Sequence, residues 1–302
     1  MMTATRIAAL TAALAFLLAS APAEARRARS VRLRTMTFNI RFDFQNDGRN
    51  RWANRVDLVA KTIADTGAHV VCLQEDKEDQ VADLQQRLPG YEFVGRGRNA
   101  TGSGERCAIL FDKSMFRAED HGDFWLSDTP EVPGSNTWGD RYPRKATWAL
   151  LETRKGKKRL LVINTHYVEG DENDRLRRKS SEVILNWLKE RVGPSDERSR
   201  RGRNEIPVLV AGDFNDDENS ASRKMFTEEG PLRFRDTWEE AKPADPRPGT
   251  YGGFKGLQTV QRIDWLLVAG PIKVLGADKL EEPVDGRYPS DHYPVLADIE
   301  VF

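Results

Sequence analysis

The chain has little cysteine, little histidine and no excess charge of either sign. Only Cys72 and Cys107 occur in 302 residues, too few for a disulfide framework or a paired-cysteine zinc site. Both lie in apolar, strand-like runs and read as small buried hydrophobes. Pairing is the alternative in an oxidising compartment, and free thiols are the expectation. The four histidines, His69, His121, His166 and His292, are scattered with no HExxH pair, which gives no zinc centre of that kind. Lysine plus arginine number 47, as do aspartate plus glutamate. That balance argues against a protein that coats duplex nucleic acid through bulk charge. Basic clusters remain at Arg154–Arg159, Arg175–Lys179 and Arg198–Arg203, and they read as a hairpin turn, the polar face of a helix and a loop, all solvated.

One apolar run of any length is present, Ile7 to Leu18. It follows Arg6 and precedes Ala21-Pro22-Ala23 and Ala23-Glu24-Ala25, the outline of a secretory signal peptide with a small-residue cleavage site. The run is well short of the roughly 20 residues of a membrane span. The expectation is a leader over residues 1–25 and a secreted or periplasmic mature domain over 26–302, monomeric and not inserted in a membrane. The leader carries one basic and one acidic residue, so its removal leaves the formal charge at zero. With no linker-like stretch and no internal period, one layered domain accounts for the rest.

Periodicity alternates along that domain. Leu33 to Asn39 is a strand; Trp52, Val56, Val59 and Ile63 share a helical face that stops at Gly67. Val70 to Leu73 is a buried strand, and Val81, Leu84 and Leu88 mark a short helix ended by Pro89-Gly90. Strands are predicted at Tyr91–Val94, Ala108–Phe111, Thr147–Thr153 and Leu160–Asn164. The longest helix runs from Leu176 to Val192, closed by Gly193-Pro194. Helices and hairpins together point to packed sheets with helices outside.

The stretch Pro207 to Asn215, PVLVAGDFN, organises the remainder. Its apolar run reads as a strand buried on both faces, opening into a loop at Asp213 and Asn215. A carboxylate at that place needs a cation or a hydrogen bond to meet it. A calcium loop is excluded, because Glu218 stands where glycine is needed and Lys224 where the bidentate glutamate is needed. The same event recurs at Asn39, Glu75, His166, Asp264 and Ser290-Asp291-His292. Ends of neighbouring strands converge on one rim of a sheet, so six such groups can share one pocket. A serine hydrolase relay built on Ser290, Asp291 and His292 fails, since consecutive strand residues point to opposite sides.

The ordered set TFNI, LQE, NTH, GDFN, RIDW and SDH resembles the endonuclease/exonuclease/phosphatase superfamily over Leu33 to Phe302. The stretches Asn39-Ile40-Arg41, Cys107 to Phe111, Phe124 to Ser127 and Asp285 to Pro289 look like its bacterial exported branch, related to carbon catabolite repressor 4-type deadenylases. The resemblance implies a four-layered α/β sandwich, two packed sheets flanked by helices. It implies a divalent ion, Mg²⁺ or Mn²⁺, held by Asn39, Glu75 and Asp291, whose hard oxygens suit such ions. By the same pattern His166 and His292 flank the phosphorus, supported by Glu105 and Asp264 respectively. Asp213 would orient or deprotonate the attacking water, Asn215 would hydrogen-bond the phosphoryl group, and Arg144 would clamp it. Trp125, Trp138, Tyr167, Tyr251 and Phe254 are either a platform for a base or sugar or lids on a core.

The expected activity is metal-dependent hydrolysis of a phosphate ester, most simply a phosphodiester, with a small or single-stranded nucleic-acid substrate. A phosphomonoester and a phospholipid headgroup ester are alternatives on the same fold. A non-catalytic binding module is the alternative of another class, disfavoured because each expected acid, amide and histidine is present. The family branch often continues NTH with Phe or Leu and then Asp-His, whereas this chain reads Tyr167-Val168-Glu169-Gly170. That departure bears on the wall of the pocket and on the choice of substrate.

Overall fold

A computed structural model describes residues 30–193, 205–242, 249–284 and 286–302. The expected leader lies outside the described residues, and no described helix is long and apolar enough to cross a membrane. Two six-stranded sheets form the body. The first has the order β11-β12-β1-β2-β4-β3 and the second β5-β6-β7-β8-β10-β9. The first comprises β1 (Val31–Asn39), β2 (Val70–Gln74), β3 (Tyr91–Val94), β4 (Ile109–Asp112), β11 (Ile272–Lys279) and β12 (Val295–Val301). The second comprises β5 (Phe116–Trp125), β6 (Lys145–Thr153), β7 (Arg159–His166), β8 (Val208–Asp213), β9 (Arg235–Asp236) and β10 (Asp264–Ala269).

β8 shows how the layers are written into the sequence. Leu209 and Ala211 point into the core between the sheets, while Val208 and Val210 point outward. The strand is therefore apolar at every position because both of its faces are covered. Beyond the second sheet, Ile184, Leu185 and Leu188 of helix α3 (Asp174–Val192) close the outer core. Beyond the first, α1 (Val56–Thr66) and α2 (Glu78–Arg87) bury Val59, Ile63 and Leu84 against Phe38, Val71 and Leu73. α1 ends at Gly67 with φ 61°, a left-handed stop for which glycine is favoured.

The sandwich agrees with the expected architecture; two local readings are corrected. α1 begins at Val56 rather than near Trp52, which lies in a short 3₁₀ turn, Trp52–Asn54. β5 carries no strand signal, because it is an edge strand whose middle residues are polar and partly or fully exposed, with a register shift between Ala118 and Asp120.

Candidate active site

Strand polarity brings the six strand ends together. β1 and β2 run parallel, which sets Asn39 beside Gln74, and β12 runs antiparallel to β1, which brings the preceding Ser290 to His292 to the same rim. In the other sheet β7 and β8 are parallel with His166 opposite Asp213, and antiparallel β10 sets Asp264 opposite Asp213. Gly212 permits that closeness: a Cβ there would lie 2.2 Å from the Thr165 carbonyl oxygen. The sheets are joined beneath the rim by a buried pair of amides that the sequence reading passed over. Gln74 Nε2 donates to Asn164 Oδ1 at 2.7 Å, and Asn164 Nδ2 donates to the carbonyls of Leu73 and Ala108 at 2.6 and 2.9 Å. Their only signal was membership of LQE and NTH, motifs read there for their last residues alone.

His292 and Asp264 form a buried pair, with Nδ1 2.9 Å from Asp264 Oδ2. Burial by itself would lower the His292 pKa, but the charges of Asp264 and Asp213 outweigh it and hold the imidazole well above its ordinary value. His166 is pushed the other way, by burial first and then by Arg144, His292 and Arg98. One imidazole is thus held charged and its neighbour neutral. Asp213 lies between them, Oδ2 3.6 Å from His166 Nε2 and 3.7 Å from His292 Nε2. It accepts from Asn39 Nδ2 at 2.9 Å and from the Asn215 backbone N–H at 2.9 Å. Burial and then Asp264 push its carboxyl up to about 7, the range in which a group trades protons at neutral pH. Asn215 donates through Nδ2 to His166 Nε2 and to the Tyr167 carbonyl, each at 3.0 Å.

A second cluster adjoins this one. Asn39 Nδ2 also donates to Glu75 Oε1 at 3.1 Å, and Asn39 Oδ1 accepts the Arg41 N–H at 3.0 Å. Glu75 has its pKa raised by burial first, then by Asp291 and Glu105. Arg41 lies 3.8 Å from both Glu75 Oε2 and Asp291 Oδ2. Glu75, whose pKa the charge of Asp291 helps to raise, and Asp291 itself, beside an amide oxygen with a lone pair to spare, make a hard donor set that fits Mg²⁺-like ions. Asp213, Asp264 and His292 also carry ligand-type atoms within 4.8 Å of one another. There His292 Nδ1 and Asp264 Oδ2 already satisfy each other, while Asp264 Oδ1 is buried with no hydrogen-bond partner among the described residues. Arg41 (φ 55°), Glu75 (φ 63°) and Asn215 (φ 47°) all adopt left-handed backbone without being glycine, a strain that concentrates where surroundings over-determine a site.

Glu105 does not support His166. Its carboxylate is taken by Arg98, with Nη1 at 2.8 Å and Nη2 at 3.0 Å, because Arg98 N–H bonds Glu105 C=O across the same loop and sets the two side chains face to face. His166 is held by Asn215 instead. Arg144 is bound to Asp140 through Nε at 3.3 Å, yet its Nη1 is buried with no hydrogen-bond partner among the described residues, an unsatisfied donor that an anion would suit. The cluster at Arg175–Lys179 is not all solvated: Arg177 is 3% exposed and donates to the Val168 and Gly170 carbonyls while pairing with Asp174 and Asp216. It ties the loop after His166 to the loop after Asn215. Tyr167 and Trp125 are core, Tyr167 packing edge-on to Phe214 and bonding Ser181, and Trp125 bonding the Arg98 carbonyl. Tyr251 alone of the five aromatics lines the cleft, edge-on to His292 at 5.2 Å. Ser290 donates to the Asn39 carbonyl at 2.7 Å and is structural. The cleft measures ≈ 750 Å³, and Glu169, Asp171, Asp174, Asp216 and Asp217 line it together with Arg177 and Arg178.

The sequence profile of the endonuclease/exonuclease/phosphatase family matches residues 36–292. The chain belongs to that family. Its members are phosphoester hydrolases, generally dependent on a divalent metal. Comparison with curated proteins finds no significant sequence match. Among solved structures, a family protein from Bacteroides vulgatus is 29% identical with a TM-score of 0.81, over 90% of this chain and 100% of the other. A mannosyl-6-phosphatase from Bacteroides thetaiotaomicron is 28% identical with a TM-score of 0.77, over 89% of this chain and 100% of the other. D. rerio TDP2 complexed with single strand DNA product is 18% identical with a TM-score of 0.66, over 89% and 98%, a likeness of fold alone.

Proposed function

We propose that the protein is an exported, monomeric hydrolase of a small phosphate ester whose leaving group is a neutral, hydroxyl-rich alcohol. The observation that carries the substrate class is the carboxylate-rich wall of the cleft, where Glu169, Asp171, Asp174, Asp216 and Asp217 outnumber Arg177 and Arg178, and where Glu169, Asp171 and Asp217 are left over once Arg177 has paired with Asp174 and Asp216. A nucleic-acid strand brings a phosphate with every nucleotide and would be repelled by that wall, whereas sugar hydroxyls donate to carboxylates. The likeness to a mannosyl-6-phosphatase over its full length supports this reading. It moves the weight from a phosphodiester toward a monoester.

Glu75 and Asp291, with Asn39 beside them, would hold Mg²⁺ or Mn²⁺. Such an ion, when bound, neutralises charge on the phosphoryl oxygens. Asp213, with its carboxyl near neutrality, takes the proton of the attacking water as the new P–O bond forms. The charged imidazole of His292, fixed by Asp264, donates to the oxygen on which charge accumulates as the ester bond breaks. On the opposite side neutral His166 accepts from the Asn215 amide at Nε2, Asn215 would bond the phosphoryl group by turning one Nδ2–H away from the Tyr167 carbonyl, and the unsatisfied Nη1 of Arg144 is the further donor for a phosphoryl oxygen.

The test is a panel with Mg²⁺ and Mn²⁺ over hexose monophosphates, a bis-aryl phosphodiester, a single-stranded oligoribonucleotide and a phospholipid headgroup ester. A hexose monophosphate should give the highest kcat/KM, by roughly tenfold or more. Preference for the oligonucleotide would overturn the substrate class, and full turnover after exhaustive chelation would overturn the metal. N-terminal sequencing of protein from cells tests export, which requires loss of the first 25 residues.

A further inference from the structure

One charged group in the cleft has no part in that chemistry. Arg41 follows Asn39 by two residues, and its left-handed backbone (φ 55°) is fixed on three sides. Its N–H bonds Asn39 Oδ1 at 3.0 Å, and its carbonyl accepts from Arg55 Nη2 at 2.5 Å and Gln80 Nε2 at 3.0 Å. The guanidinium is partly exposed to the cleft and rests on the faces of Phe42 and Phe44, 4.6 and 5.7 Å from their centroids. Asp47 holds it through Nε at 3.1 Å and Nη2 at 3.4 Å. Its distance from Glu75 and Asp291, 3.8 Å each, is too long for hydrogen bonds but close enough for strong attraction of charge. Among the described residues the Arg41 guanidinium thus has one hydrogen-bonded carboxylate and two purely electrostatic ones, and the two are the carboxylates read as the metal site.

A divalent cation on Glu75 and Asp291 cancels the attraction that draws Arg41 between them and replaces it with repulsion. Asp47 and the two phenyl rings keep the guanidinium at the cleft, beside the place where a phosphoryl group must lie to reach both clusters. We propose that Arg41 is an exchangeable phosphate ligand: it stands in for the cation when Glu75 and Asp291 carry none, and moves onto the nonbridging phosphoryl oxygens when they carry one. Planar, permanently charged and forked, it suits that oxygen pair as a lysine would not. The inference rests on the reading of Glu75 and Asp291 as the metal site.

Two consequences of opposite sign follow for Arg41→Gln. Mn²⁺ should bind more tightly, roughly fivefold or more, because a positive charge has left the site. Inorganic phosphate at saturating Mg²⁺ should bind more weakly, roughly tenfold or more, because a charge-assisted contact is lost. Both are measured by calorimetry, with circular dichroism and thermal melts as controls. Either affinity staying within about twofold of wild type, a change of about 0.4 kcal/mol, overturns the proposal. Asp47→Asn leaves the backbone locks of Arg41 intact and carries the test should Arg41→Gln not fold. Freed from Asp47, Arg41 should lean on Glu75 and Asp291 and weaken Mn²⁺ binding, and unchanged or tighter binding overturns the proposal. In Arg41→Gln with Asp47→Asn the weakening should disappear, since Asp47 acts through Arg41; persistence overturns it. Glu75→Gln separates the two levels. If wild type and Glu75→Gln bind Mn²⁺ equally, the metal reading falls and takes the proposal with it. If only the Arg41 results fail, the metal reading stands.

Discussion

Asp264→Asn is the sharpest test of the site, because it changes one atom's chemistry and leaves the shape. Asp264 Oδ2 lies 2.9 Å from His292 Nδ1, and both groups are buried. The pair holds His292 charged against the burial that would otherwise lower its pKa. A hydrogen bond to a charged group is worth about 1.5–3 kcal/mol, and the tautomer is lost with it. The chemical step should therefore slow by roughly 10² to 10⁴-fold. The sign of the pH effect follows from the same balance. With the carboxylate gone, burial dominates, the imidazole loses its proton at lower pH than in wild type, and the basic limb of kcat shifts toward acid. His292→Ala should lose as much as Asp264→Asn, and the double variant little more than His292→Ala alone, since two residues acting as one unit are not additive. The assay is single-turnover hydrolysis at saturating metal across pH, with thermal melts on every variant. Losses that multiply, an unshifted basic limb, or variants that simply unfold would refute the pairing as a chemical unit.

Glu105→Ala should damage stability rather than chemistry: it strips Arg98 of a two-pronged partner in a largely buried setting, a loss of about 3 kcal/mol in denaturant melts, with kcat within about tenfold of wild type. A 10²-fold loss of kcat with an unchanged melt would return Glu105 to a place beside His166. Asp76 is fully buried, its Oδ2 has no hydrogen-bond partner among the described residues, and burial pushes its carboxyl up to about 7. Its folded pKa exceeds its unfolded one, so ionisation opposes folding and stability is lost as pH rises from about 4 to about 7. Asp76→Asn should remove that decline, so the difference in Tm between variant and wild type should grow in favour of the variant from pH 5 to pH 8; a constant difference refutes the account. Gly212→Ala should cost about 3 kcal/mol or more or prevent folding, because the new methyl would meet the Thr165 carbonyl oxygen at 2.2 Å; a wild-type melt refutes that contact.

What was legible in the sequence and what was not divide along one physical line. A buried strand that ends in a polar group advertises both its fold and its site, because neither alternation nor a turn explains the charge there. Asn39, Glu75, His166, Asp213, Asp264 and His292 were picked out that way, and strand polarity, with the residues adjoining the strands, brings them to one rim. Partner choice is not written in the same code. Glu105 was placed with His166 by its position in a pattern, but its partner is fixed by a backbone bond between residues 98 and 105 inside one loop, which makes Arg98 the nearer cation. Arg177 was read as one more cation on a helix face, yet it is buried because two loops offer it the carbonyls of Val168 and Gly170 and the carboxylates of Asp174 and Asp216. Those loops are also where this chain departs from the usual continuation of NTH, and they carry Glu169, Asp171 and Asp217 along the acid wall. The departure therefore lies on the lining of the cleft, the part that meets the leaving group in the function proposed above. The groups proposed to react stand on strand ends bonded across two sheets by Asn39 and Gln74, so on that proposal such loops can change the substrate while leaving the strand-end cluster in place.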